Sequence, residues 1–216
     1  MLTEATKTLL LIFSTLFPVV YPIGGGALFL ALTRDYDGPT RRMLSRRIAL
    51  NSFALLISSF LVGSHVLSFF GISLAIVQVG GGLVVISTAW AMLNHKESHD
   101  RDALGGAIND SDVLKYAFYP LTLPLTVGPG SISIAITLGA SRPLALREGL
   151  LTLVAAAAAS GLLALSVYIC YAFSDRLALR IGRNGMNVTV RLTSFLLFCI
   201  GVQILWNGVH ELLTSM

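Results

Sequence analysis

Two short stretches hold residue types that could bind a small ion or zwitterion without any charged side chain. Pro18 and Pro22 lie four apart and are followed by Gly24, Gly25 and Gly26, while Pro120 and Pro124, again four apart, are followed by Gly128, Pro129 and Gly130. Proline removes a backbone donor and glycine weakens a helix, so each stretch should interrupt a helix. An interruption leaves amide N–H and carbonyl groups without intrahelical partners. The amide end of a half-helix favours an anion such as a carboxylate, and loose carbonyls can hold a cation. Hydroxyls at Tyr21, Thr122, Thr126 and Ser131 sit beside these groups. The candidate substrate-binding set is therefore Tyr21, Pro22, Gly24, Gly25, Gly26, Thr122, Thr126, Gly128, Pro129, Gly130 and Ser131.

The segments carrying these residues are strongly apolar. The chain is 55% hydrophobic and 12% charged, with a mean hydropathy of +0.78, and its apolar runs are too long for soluble core helices. An all-α integral membrane protein follows, forming a single membrane domain over 1–216. Six transmembrane helices are expected at about 8–32, 46–69, 72–93, 113–139, 149–173 and 189–213. The first has an apolar run too long for a signal peptide and no small-residue cleavage site behind it. Cys170 and Cys199 both fall in apolar segments, where packing is expected rather than a disulfide.

Because the paired breaks fall in the first and fourth spans, the chain divides into two three-helix repeats, 8–93 and 113–213, joined by a polar linker over 94–112. Three spans is an odd number, so the second repeat must enter the membrane from the opposite face. This makes an inverted repeat with helices 1 and 4 broken at Pro/Gly, the sequence pattern of a transporter with its site near the bilayer midplane. In that superposition Pro22 is expected to fall near Pro124.

Twelve of the 15 basic residues lie in loops on one side: Arg34, Arg41, Arg42, Arg46, Arg47, Lys96, Arg101, Lys115, Arg176, Arg180, Arg183 and Arg191. Only Lys7, Arg142 and Arg147 lie on the other. The positive-inside rule makes the linker cytoplasmic and both termini periplasmic.

Other polar groups narrow the function. Asn51, Gln78, Gln203 and Asn207 read as interhelical hydrogen-bonding groups, and Gly80 to Gly82 as a packing stripe. None of the eleven acidic residues sits in the middle of a span, which disfavours a buried carboxylate proton relay. No HExxH, GxSxG or paired intramembrane aspartate is present, so an enzyme is not expected, and no continuous polar stripe suggests a channel. A secondary transporter of a small zwitterion fits these features. Its runner-up is a non-transporting structural or signalling membrane protein, or an exporter of another small solute. The expected partners are the bilayer and a small-molecule substrate, with no nucleic acid, no cofactor, and Na+ or H+ coupling left open; a homo-oligomer is compatible with the sequence.

At these residues the chain resembles the MarC family of bacterial inner-membrane proteins over essentially its whole length. The resemblance rests on Pro22-Ile23-Gly24, on Phe70 to Ser73 (FGIS), on Pro124 with Gly128-Pro129-Gly130, and on Gly201 to Gly208 (GVQILWNG). It implies relatives among small neutral amino acid transporters and LysE-type exporters, and hence alanine- or glycine-like substrates moved by alternating access across a bacterial inner membrane. The family commonly has Asn or Asp before the first-span proline, where this chain has Tyr21, and often a second proline five residues on, where it has Ala27.

The orientation is testable by thiol labelling. A cysteine at Ser98 should react only with membrane-permeant reagents and one appended after Met216 should react from the periplasm; labelling of position 98 from outside would reverse the topology.

Overall fold

The computed structural model describes residues 2–33, 36–94, 115–140 and 146–214, so most of the 94–112 linker lies outside the described residues. Among them there is no strand. The elements in order are α1 (Leu2–Val20), α2 (Pro22–Leu32), α3 (Gly38–Phe69), α4 (Leu74–Asn94), α5 (Ala117–Thr126, of wide, irregular pitch), α6 (Pro129–Ala140), α7 (Leu146–Ala172) and α8 (Ser174–Thr214). Five helical stretches are long and apolar enough to cross a membrane, with Ala5–Leu30 running through α1 and α2. A sixth is completed if α5 and α6, bent by 70° at their junction, are taken as one span. The chain is thus an all-helical, multi-pass membrane protein.

Local chemistry explains where the helices start and stop. Asp37 caps α3 by accepting the Thr40 N–H at 3.1 Å, and Pro39 sits in the first turn, where its missing donor costs nothing. At the other end Gly71 adopts φ 67°. Its N–H donates to the Ser68 carbonyl at 3.1 Å, and the Ile72 N–H reaches back to the Leu67 carbonyl at 2.9 Å. These are the two bonds of a Schellman cap, for which glycine is the favoured left-handed residue. Ser73 Oγ then accepts the Ile76 N–H at 3.3 Å to open α4. The FGIS stretch is therefore a helix-to-helix turn. In α8, Gly182 (φ 67°, ψ 168°) separates a short first piece from the apolar span Ser194–Thr214.

The interior is built from four-residue stripes. Ile12, Leu16 and Val20 on α1, Leu44, Ile48, Leu56 and Phe60 on α3, and Ala159, Leu163, Val167 and Tyr171 on α7 are all buried in one cluster with Phe29, Leu121, Val127 and Ile134. Such spacing places each set on one helix face. The opposite faces remain apolar: Leu150 is 62% exposed and Phe195 58%. On a soluble protein these would form large sticky patches, whereas in a membrane protein they meet lipid.

Glycine sets how closely the helices approach. Packing joins α4 to α8, α3 to α5, α6 and α7, α7 to α1 and α2, α4 to α6, and α2 to α8. On the α4–α8 seam a Cβ on Gly82 would lie 2.7 Å from the Leu205 amide nitrogen and 2.9 Å from the Gly201 carbonyl. One on Gly208 would lie 2.7 Å from the Ala75 carbonyl. GVQILWNG is thus a packing seam, its glycines seven apart. Gly80, by contrast, faces open space. Accordingly Gly82→Ala should lower the melting midpoint of the purified chain, at a cost of about 1–3 kcal/mol from overpacking, while Gly80→Ala should leave it unchanged or slightly raised.

Candidate functional site

The first interruption is a single residue. Tyr21, between α1 and α2, takes the left-handed conformation (φ 49°, ψ 60°), and no side chain caps α2. The Tyr21 N–H still donates to the Phe17 carbonyl at 3.0 Å, and the Gly25 N–H to the Tyr21 carbonyl at 2.9 Å. The two helices therefore stay in one span. Pro22 is the first residue of α2, so the first-turn amides without intrahelical acceptors are those of Ile23 and Gly24.

This corrects the expected role of the glycines. Gly24, Gly25 and Gly26 lie inside α2 and do not have positive φ; the strained position is Tyr21 itself. A left-handed non-glycine residue costs roughly 1–2 kcal/mol, and Asn and Asp tolerate that region better than Tyr. An Asn or Asp here, as the resemblance implies, would sit with less backbone strain than Tyr21. What the three glycines provide is close approach. A Cβ on Gly24 would fall inside the Tyr21 ring, one on Gly25 would strike the Tyr171 hydroxyl, and one on Gly26 would lie 3.0 Å from the Cys170 carbonyl.

The second interruption is more open. Tyr119 (φ −125°, ψ 123°) and Leu123 (φ −110°, ψ 121°) are extended, as expected for residues that precede proline; both following peptide bonds are cis. The sequence Pro-Leu-Thr occurs twice, and each threonine hydroxyl bonds back to the carbonyl five residues earlier. Thr122 Oγ1 donates to the Ala117 carbonyl at 2.6 Å, and Thr126 Oγ1 to the Leu121 carbonyl at 2.8 Å. Asn51 Nδ2 on α3 also donates to Thr122 Oγ1, at 3.4 Å. After Val127 and Gly128, where a Cβ on Gly128 would sit 3.1 Å from the Pro124 carbonyl, Pro129 begins α6.

One side chain joins the two breaks. Tyr171 on α7 is fully buried, stacks on Phe29 of α2 with ring centroids 4.9 Å apart, and lies over Gly25. Its hydroxyl is 2.8 Å from Thr126 Oγ1. Since Thr126 spends its only proton on Leu121, Tyr171 donates in this pair. Behind it, Gly130 faces Val85 of α4, and its Cβ would lie 3.7 Å from Val19 at the end of α1. Ser131, in the first turn of α6, is buried with its hydroxyl unbonded among the described residues, as is Ser52 on α3.

The structure thus brings Gly25 and Thr126 together at Tyr171, sets Gly130 against Val85 and Val19, and commits Thr122 and Thr126 to carbonyls. Ser131 keeps an uncommitted hydroxyl. Tyr171 and Ser52 were not among the sequence candidates. Tyr171 had a faint signal, as a tyrosine near the end of a span, but nothing in Ser52 sets it apart from other serines in apolar helices.

A family model described as "MarC family integral membrane protein" matches residues 6–213. Curated relatives include the UPF0056 membrane protein of Archaeoglobus fulgidus, 28% identical over 207 residues, covering 94% of this chain and 93% of the relative. The UPF0056 inner membrane protein MarC of Salmonella typhimurium is 29% identical over 209 residues, covering 93% of each. The UPF0056 membrane protein YvbG of Bacillus subtilis is 27% identical over 208 residues, covering 94% of this chain and 96% of the relative. No solved structure matches the chain.

The Tyr21–Gly24 contact gives a paired test. Gly24→Ala should destabilise the chain because its methyl displaces the Tyr21 ring, and adding Tyr21→Ala should recover part of that loss; a strictly additive double variant would contradict the contact.

Proposed function

The chain belongs to the MarC family of integral membrane proteins, and we propose that it is a secondary transporter of a small zwitterionic solute, in the class of alanine and glycine. The carrying observation is that two interrupted spans, far apart in sequence, share one buried region through Tyr171, which touches Gly25 and bonds Thr126. Helix interruptions persist in a membrane where they face protein, water or ligand. In this reading the first-turn amides of α2 and α6 take the substrate carboxylate, and Ser131 bonds its carboxylate or ammonium group. With the hydroxyl of Tyr171 given to Thr126, the region as described is the closed form, and binding requires Tyr171 or Tyr21 to swing away.

Helix packing supports an inverted repeat. Exchanging α1, α2, α3 and α4 for α5, α6, α7 and α8 returns the main contacts to themselves: α3 packs on α5 and α6 as α7 packs on α1 and α2, and α4 meets α6 as α8 meets α2. The pairs α3–α7 and α4–α8 map onto themselves. Under this exchange Pro22 corresponds to Pro129, each the first residue of its half-helix, rather than to Pro124. The proposed repeats are 8–93 and 113–213, and the proposed location is a bacterial inner membrane with both termini periplasmic. Any coupling would be to Na+ or H+.

Proteoliposomes containing the purified chain should exchange labelled alanine or glycine against unlabelled solute. Ser131→Ala should leave thermal stability unchanged or raised, because no protein group loses a bond. It should raise the KM for exchange by about tenfold, the size of one hydrogen bond to a charged group. Absence of counterflow for every small neutral amino acid would remove this reading in favour of a structural or signalling role.

A further inference from the structure

A cavity lies beside Tyr171 at the junction of α7 and α8. It has a volume of about 490 Å3 and is walled by the start of α3, the end of α7 and the start of α8, a size in the range of small-ligand sites. Among the described residues three arginines line it, Arg41, Arg42 and Arg176, against one carboxylate, Asp175. Arg41 Nη1 donates to Asp175 Oδ1 at 2.6 Å. Its Nε, however, is buried and has no acceptor among the described residues. The Arg176 guanidinium lies over the Phe173 ring, 5.5 Å from its centroid. The nearby carboxylate of Asp37 is turned to the Thr40 N–H, and this bond, with others to Thr40, holds its pKa below the usual range.

We propose that this cleft is a binding site for a phosphate oxyanion, carried by an anionic phospholipid headgroup or by a soluble phosphate. A guanidinium offers a planar fork of donors that fits two oxygens of such a group. Here one prong is held by Asp175 while the buried Nε–H lacks a partner among the described residues, a state that costs free energy until an acceptor arrives. Arg42 and Arg176 bring the surplus positive charge, and a net of two positive charges on the lining matches one doubly charged phosphate or a headgroup with a second anion nearby. The position is that of a headgroup, since the cleft lies where three helices reach the end of the apolar region and Phe173 is 39% exposed beside it. Basic pockets between transmembrane helices bind anionic headgroups for this reason. Tyr171 lines the cleft, but none of its arginines belongs to the proposed transport site, and the proposal does not rest on that reading.

The test uses the full chain in a neutral detergent, with its melting midpoint followed as phosphatidylglycerol, phosphatidylcholine or inorganic phosphate is added. Saturable stabilisation by phosphatidylglycerol but not by phosphatidylcholine or phosphate assigns a lipid. Saturable stabilisation by phosphate, with no advantage of phosphatidylglycerol over phosphatidylcholine, assigns a soluble anion. In either case Arg42→Gln and Arg176→Gln should each raise the half-saturating concentration about tenfold, in line with loss of one charge-assisted bond. Asp175→Asn should lower it, because a competing carboxylate is gone, even if that variant starts from a lower midpoint. No saturable shift with either probe, or an unaltered one in the Arg42→Gln, Arg176→Gln double variant, would overturn the proposal.

Discussion

A backbone that crosses hydrocarbon must satisfy each of its own polar groups, and the two interrupted spans of this chain are organised by that demand. Around Pro120 and Pro124, the hydroxyls of Thr122 and Thr126 donate back to the carbonyls of Ala117 and Leu121. Where Tyr21 turns left-handed, the hydrogen bonds from Tyr21 to Phe17 and from Gly25 to Tyr21 carry the ladder through. Each unsatisfied group would cost several kcal/mol in lipid, on the order of a whole protein's net stability when summed. Interruption is therefore confined to places where mending groups stand ready. The buried hydroxyls of Ser131 and Ser52, which mend nothing among the described residues, are the exceptions that point to a site.

Close approach is the second condition, and glycine supplies it in two ways. On the α4–α8 seam, Gly82, Gly201 and Gly208 let backbone meet backbone. At the site, Gly24 and Gly25 let aromatic rings lie on the helix surface. Without water to drive apolar association, such packing and the few interhelical hydrogen bonds hold a membrane protein's helices together. The same residue type is thus structural in one place and, by making room for Tyr21 and Tyr171 to move, proposed to be functional in another.

Much of the fold was readable in the chain because its signals are strong. Long apolar runs marked the spans, and the double-proline stretches marked the interruptions; α5 and α6 meet at the expected break, and α3, α4 and α7 fall within a few residues of their expected bounds apart from the earlier start of α3. The details were set by side chains that carry little local signal. Gly24 to Gly26 looked like helix-interrupting residues but are helical, since the interruption falls on Tyr21, one residue before the proline. The FGIS and GVQILWNG stretches drew notice as motifs, and their physics is that of a Schellman turn and a packing seam. Tyr171 was missed because its importance lies in where α7 ends relative to α2 and α5, and that is a tertiary fact.

The central claim is that the first turn of α6, which follows directly on the Thr126 end of α5 where Tyr171 bonds, is where a small zwitterion binds. Its most direct measurement is the alkylation rate of a cysteine at position 131 in the otherwise cysteine-free chain, taken across a panel of small amino acids. The account predicts that at least one neutral member slows the reaction with a saturable dependence on its concentration, while a cysteine placed at the lipid-facing position of Leu150 is unaffected. A rate at position 131 that no member of the panel alters would contradict it.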